Sequence, residues 1–167
     1  MPRYDLDGQV GIVTGAGRGI GRSIAIRLAH EGVGITVADL NESNAKDVAQ
    51  EIESAGGQAI ALKVDVTRTQ DTERMVRETV DRFGRLDILV NNAGVVVVDR
   101  LIDAKESDWD LIMNVNAKGV LLCSQAAARE MISRGNGGRI INNASGSGKI
   151  APGKERPTGV YAASKHA

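Results

Sequence analysis

A single cysteine, Cys123, has nothing to pair with inside the chain, which excludes a disulfide framework and any cysteine-rich metal site. Histidine is nearly as scarce. Only His30 and His166 occur, far apart, so a structural zinc site is not expected and no metal ligands are assigned. Neither sign of charge dominates: 21 basic and 21 acidic residues cancel. Without a net field there is nothing to hold DNA, RNA or an anionic membrane non-specifically. Long apolar runs are missing too. No stretch approaches the roughly 18 apolar residues of a membrane span, and Met1 to Asp7 has no apolar core of leader-peptide length. The default expectations are therefore no nucleic acid, no membrane and a reducing, cytoplasmic setting.

What is abundant is glycine, with 20 in 167 residues and no collagen-like period. The apolar residues fall in short runs separated by helical patterns. Val10–Thr14, Gly34–Ala38, Ala59–Leu62, Leu86–Val90 and Arg139–Asn143 read as buried strands. Between them, Gly19–Glu31, Ser43–Ala55, Gln70–Phe83 and a long segment from near Ser107 to Arg134 carry helical spacing, several ended by glycine. Val160–Ala167 reads as two further helical turns. Buried strands alternating with helices demand parallel pairing, right-handed crossovers and helices on both sheet faces. The fold class is α/β, a doubly wound parallel sheet of Rossmann type with five strands, and residues 1–167 are read as one domain.

The junction of the first strand and first helix is Thr14-Gly-Ala-Gly-Arg-Gly-Ile-Gly21. Such glycines let a backbone approach a pyrophosphate, and the helix amino terminus supplies amide donors. A tight turn packing helix on strand would use the same residues. Asp39 ends the second strand, about 20 residues past the turn, where an acid can bond both adenosine ribose hydroxyls and repel a 2′-phosphate. It favours NAD over NADP; Arg18, within the turn, pulls weakly the other way. Asp65, after the third strand, fits either an adenine contact or a helix-entering turn. Val95–Val98 reads as buried loop, Trp109 as packed at the start of the long helix, and Cys123 as core.

With these residues in hand, the chain resembles the short-chain dehydrogenase/reductase family. The matches are Thr14-Gly-x-x-x-Gly-x-Gly21, Asp65-Val66, Asn91-Asn-Ala-Gly94, Asn116, Ser145 and Tyr161-x-x-x-Lys165, in the family's order and across nearly the whole chain. The resemblance implies cofactor contacts at Gly15, Arg18, Gly19, Ile20, Gly21, Asp39, Asp65, Val66, Asn92, Ala93, Gly94, Tyr161 and Lys165, with NAD as the cofactor and NADP less favoured. It implies catalytic roles for Asn116, Ser145, Tyr161 and Lys165. Tyr161 would exchange the proton of a small alcohol or ketone substrate, and Ser145 would hold the reacting oxygen. Lys165 would bond the nicotinamide ribose, and Asn116 would anchor a water in a proton relay.

Within the resemblance, Ser147 stays an alternative to Ser145 because the spacing to Tyr161 is longer than the family pattern; outside it, Asn116 reads as a helix residue bonding backbone across a bend. A phenol ionises near pH 10 in water. An ammonium beside it favours the phenolate, and an i, i+4 pair on a helix brings the two together. Family members complete the Tyr–Lys helix and add two strands and a substrate-covering segment, and they assemble as dimers or tetramers. The resemblance thus implies a chain cut inside that helix, with the second half of the sheet incomplete. The alternatives to an NAD-dependent alcohol dehydrogenase are an NADP-dependent carbonyl or acyl-ketone reductase and a dinucleotide-binding fragment without turnover.

Overall fold

The computed structural model describes residue 4 and residues 6–135, 137–149 and 157–166. The expectations for residues 1–3 and 5, for the loop segment 150–156 that contains Pro152, and for Ala167 lie outside the described residues. Strand β1 (Val10–Thr14) is buried at every position, and β2 (Gly34–Asp39) at all but its last. That burial fits β-branched, mostly apolar runs without polar alternation. With β3 (Ala59–Lys63), β4 (Ile88–Asn91) and β5 (Arg139–Asn142) they form one parallel sheet in the order β3-β2-β1-β4-β5. Ile12 lies between Thr36 of β2 and Leu89 of β4 in register, Asp39 pairs with Lys63, and Asn91 pairs with Asn142. The order reverses between β1 and β4, so a crevice opens at their carboxyl ends.

Helices α1 (Gly19–His30) and α2 (Glu42–Ser54) cover one face, where Ala25, Val48 and Ile52 meet Val13, Ile35 and Val37. On the other face α3 (Thr69–Phe83) packs Met75 and Val76 against Ile12, Leu62 and Leu89. Local chemistry sets the helix ends. The Asn41 side chain accepts from the Asn44 amide to start α2, and Gly84, at φ 81, closes α3 in the left-handed region.

The expected single helix after β4 is interrupted. The chain forms α4 (Glu106–Met113), a π-helical turn at Asn114–Lys118 and then α5 (Gly119–Arg134). The extra residue of a π turn rotates the helix beyond it. Here it buries Asn116 and lays Gly119 on Val66, so closely that a β-carbon would sit 2.8 Å from Val66 Cγ2. Two further expectations are corrected. Val96 and Val98 are 54% and 62% exposed rather than buried, and Trp109 is 47% exposed. Apolar character placed them inside, yet along 95–98 only the alternate residues Val95 and Val97 are half-buried.

Cys123 on α5 lies in the core with Ala127 and Met131, and burial pushes its thiol up to about 12. The native protein at pH 8 is therefore expected to resist a disulfide-exchange reagent and to react fully once denatured. Prompt native labelling would show that α5 opens from the sheet.

The last helix, α6 (Gly159–His166), packs on α4 and on a 3-10 turn at Gly146–Gly148. A parallel bridge between Asp99 and Thr158 fixes its start. Helices cover both faces over β1 to β4, whereas β5 is exposed throughout, with Ile140 and Ile141 at 39% and 50%.

Candidate functional site

A cleft of about 1170 Å³ opens along the carboxyl edge of the sheet. It exceeds the roughly 300–1,000 Å³ of an ordinary small-molecule pocket. Eleven of the predicted cofactor residues line it: Gly15, Arg18, Gly19, Ile20, Gly21, Asp39, Asp65, Val66, Asn92, Ala93 and Gly94. A smaller cleft of about 480 Å³ lies among Gly8, Gln9, Gly34, Gly57 and Phe83 and contains none of them.

The glycine turn is held from both sides. The Ala16 amide donates to Ala38 O of β2 at 3.1 Å. The Thr14 hydroxyl accepts from the Asn92 and Ala93 amides at 3.0 and 3.1 Å, and Asn92 Nδ2 donates to Thr14 O and Gly15 O at 3.0 and 3.1 Å. Sterics explain the sequence. A β-carbon on Gly15, at φ 61, would come within 2.8 Å of Ala93 Cα, and one on Gly21 would reach 2.2 Å from Gly15 O. Gly19, at φ 56, has open space where a side chain would go. The amino end of α1 carries no side-chain cap and no acid in its first turn, so its first amides lack intrahelical partners and suit an anion. The open space at Gly19 and the helix amides fit a dinucleotide diphosphate.

Asp39 is fixed before any ligand arrives. Its Oδ2 accepts from the Gly17 amide at 2.8 Å and its Oδ1 from the Asn41 amide at 2.9 Å. Arg18 is exposed and forms no ion pair among the described residues. Asp65 serves its local turn, accepting from the Thr67 amide at 3.0 Å and hydroxyl at 2.7 Å while its own amide bonds Asp71. Burial pushes its carboxyl up, but the Thr67 bonds and the Arg68 guanidinium outweigh that and hold it below the usual carboxylate range.

Of the four predicted catalytic residues, Asn116 and Lys165 approach Gly94 at one end of the cleft, Tyr161 stands beside Lys165, and Ser145 lies on the turn that docks on their helix. A β-carbon on Gly94 would lie 3.3 Å from Asn116 Oδ1 and 3.8 Å from Lys165 Nζ. Tyr161 and Lys165 both stand on α6, with Nζ 5.9 Å from the phenol ring centre. Lys165 Nζ donates to Asn143 O at 3.0 Å. Ser145 precedes the 3-10 turn, and its Oγ accepts from the Ser147 amide at 3.2 Å. That turn docks on α6, where a β-carbon on Gly148 would meet Lys165 O at 2.5 Å. Asn116 is buried, and all of its amide hydrogens stay within the protein. Nδ2 donates to Val95 O and to Ser164 Oγ, and Oδ1 accepts from the Val95 amide, each at 2.9 Å. This is the geometry of a residue bonding backbone across a bend.

Asn143, Ser164 and Lys63 were missed. The first had a visible signal: Asn-Asn pairs end two of the predicted strands, 91–92 and 142–143. Among the described residues no group of three or more His, Cys, Asp or Glu could hold a metal ion, and no helix is long and apolar enough to cross a membrane.

A family model described as short chain dehydrogenase matches residues 9–167. Over 162 residues the sequence is 40% identical to a sorbitol dehydrogenase of Cereibacter sphaeroides, covering 97% of this chain and 61% of that protein. A short-chain type dehydrogenase/reductase from Mycobacterium marinum superposes with a TM-score of 0.95 at 36% identity, over 99% of this chain and 66% of that one. A short chain dehydrogenase/reductase from Burkholderia phymatum in complex with NAD gives 0.93 at 31% identity, over 98% and 57%. The chain spans about 60% of the length of the curated relatives it matches.

Proposed function

Because the chain belongs to the short chain dehydrogenase family, we propose that its carboxyl-edge cleft binds NAD(H) and that the protein interconverts the CH–OH and C=O groups of a small alcohol or ketone. One observation carries the reading: an uncapped helix amino terminus, a pre-oriented Asp39 and the Tyr161–Lys165 pair share one sheet edge. The α1 amides would take the diphosphate, and the Asp39 carboxylate would accept from the adenosine ribose hydroxyls. The bound nucleotide would supply hydride transfer. The chain's own part is proton handling and orientation. Tyr161 would take the hydroxyl proton as general base in oxidation and return it in reduction. The Ser145 hydroxyl would hold the reacting oxygen, and Lys165 would keep a positive charge beside the phenol.

The sorbitol dehydrogenase relative supports a polyol among candidate substrates. Exposed Leu121 and Ile132 on α5 support self-association of the whole protein. A second reading, NADPH, draws on Arg18 and on Lys63, which lines the cleft and pairs in register with Asp39. Fluorescence titration with both reduced nucleotides decides. NADH is expected to bind more tightly, and tighter NADPH binding would overturn the first choice.

Gly17 offers a sharper check. A β-carbon there would lie 2.7 Å from Asn44 Cβ and 2.9 Å from Asp39 Cγ, neither the far end of a flexible chain. Gly17→Ala is expected to displace Asp39 and weaken NADH by about tenfold, the loss of one charge-assisted hydrogen bond, with NADPH much less affected. Equal losses for both nucleotides would count against Asp39 as the discriminating group.

A further inference from the structure

An unbroken run of hydrogen bonds joins the glycine turn to the Lys165 amine. Asn92 Nδ2 donates to Gly15 O at 3.1 Å, Asn143 Nδ2 donates to Asn92 Oδ1 at 3.0 Å, and Lys165 Nζ donates to Asn143 O at 3.0 Å. Asn143 is the residue in this run that links Lys165 to Asn92, and through Asn92 to the glycine turn. It lies one position past β5, where the sheet ladder finishes. Its backbone is held there by its amide bond to Asn91 O at 2.9 Å and by its side chain on Asn92.

We infer that Asn143 is a positioning residue, whose side-chain amide fixes the carbonyl that holds the Lys165 ammonium at the cleft. The inference rests on the nucleotide reading above and extends it to a residue without a sequence motif. Without the Asn92 bond, the Asn143 carbonyl is anchored on its amide side alone. A lysine side chain has many rotamers, so it keeps one position only when its acceptor stays fixed. Asn143 also couples two parts of the cleft: the turn that would meet the diphosphate and the amine that would meet the far ribose. Gly94, between them, has no side chain to intrude on either.

The test uses Asn143→Leu, which keeps the branched four-atom side-chain skeleton and removes the amide, in the 167-residue chain. Reductive methylation without nucleotide, read by peptide mass spectrometry, is expected to modify Lys165 about fivefold faster than in the parent, as loss of one hydrogen bond predicts. Lys63 and Lys105 serve as internal references with unchanged rates. NADH affinity is expected to fall about tenfold while ADP, which stops short of Lys165, changes by less than about twofold. In a Lys165→Met background the Asn143 substitution is expected to add nothing, since both act on one contact. Asn143→Ser is read in the same way should the leucine variant fail to fold.

An unchanged Lys165 rate overturns the inference, as do equal losses for NADH and ADP or additive losses in the double variant. If the parent chain binds neither NADH nor ADP, the nucleotide reading fails, and the labelling rate alone still decides whether Asn143 holds Lys165.

Discussion

Tyr161→Phe is expected to lower alcohol oxidation and carbonyl reduction by about 10²–10⁴-fold, the usual range for a general acid–base group. NADH affinity is expected to change by less than about twofold, because the lost hydroxyl contributes to proton transfer more than to binding. The phenol stands on α6 with the Lys165 ammonium one turn along, and the same helix packs on the 3-10 turn after Ser145. Removing one oxygen therefore leaves the docking surfaces in place. Steady-state rates together with nucleotide titration separate the two effects, and turnover within about tenfold of the parent would remove Tyr161 from the proposed chemistry. A matched loss of NADH affinity would instead point to a disturbed α6.

The features legible in the sequence are those whose cause is local. The glycine turn, Asp39 after β2 and the Tyr161–Lys165 spacing each lie within one strand end, one turn or one helical repeat. The β3-β2-β1-β4-β5 order is consistent with parallel pairing through right-handed crossovers. Less legible were features that depend on distant partners. Asn116 bonds Val95, 21 residues away, and Ser164, 48 away, through a π turn that no periodicity marks. Asn143 meets Asn92 across 51 residues. That contact arises from the register of Asn91 with Asn142, which sets the next residues of both strands side by side. The signal lay in the repeated Asn-Asn, but it becomes a contact only once β4 and β5 are known to be neighbours. Val96, Val98 and Trp109 show the converse error. Hydropathy assigns burial to all of them, yet along 95–98 only Val95 and Val97 are half-buried, and Trp109 stays exposed on α4 although α6 packs on that helix.

Asn116→Ala is expected to be the most destabilising truncation near the site. The side chain is 4% exposed and its three bonds satisfy both the N–H and the C=O of Val95 and the hydroxyl of Ser164. Truncation would leave the two backbone groups unpaired at about 1–3 kcal/mol each. A total near 3 kcal/mol corresponds to a fall in Tm of roughly 6–12 °C for a chain of this size. The loss would not be uniform. Ser164 bonds Tyr161 O within α6 and Asn116 beneath it, so hydrogen exchange across 159–166 should quicken more than exchange in β1, whose bonds lie in the centre of the sheet. Asn116→Asp keeps the acceptor for the Val95 amide but sets a buried anionic oxygen against Val95 O, so it is expected to be at least as destabilising as the alanine variant. A Tm within about 2 °C of the parent for Asn116→Ala would mean that water replaces all three bonds. The π turn would then be held by Gly119 against Val66 rather than by the asparagine.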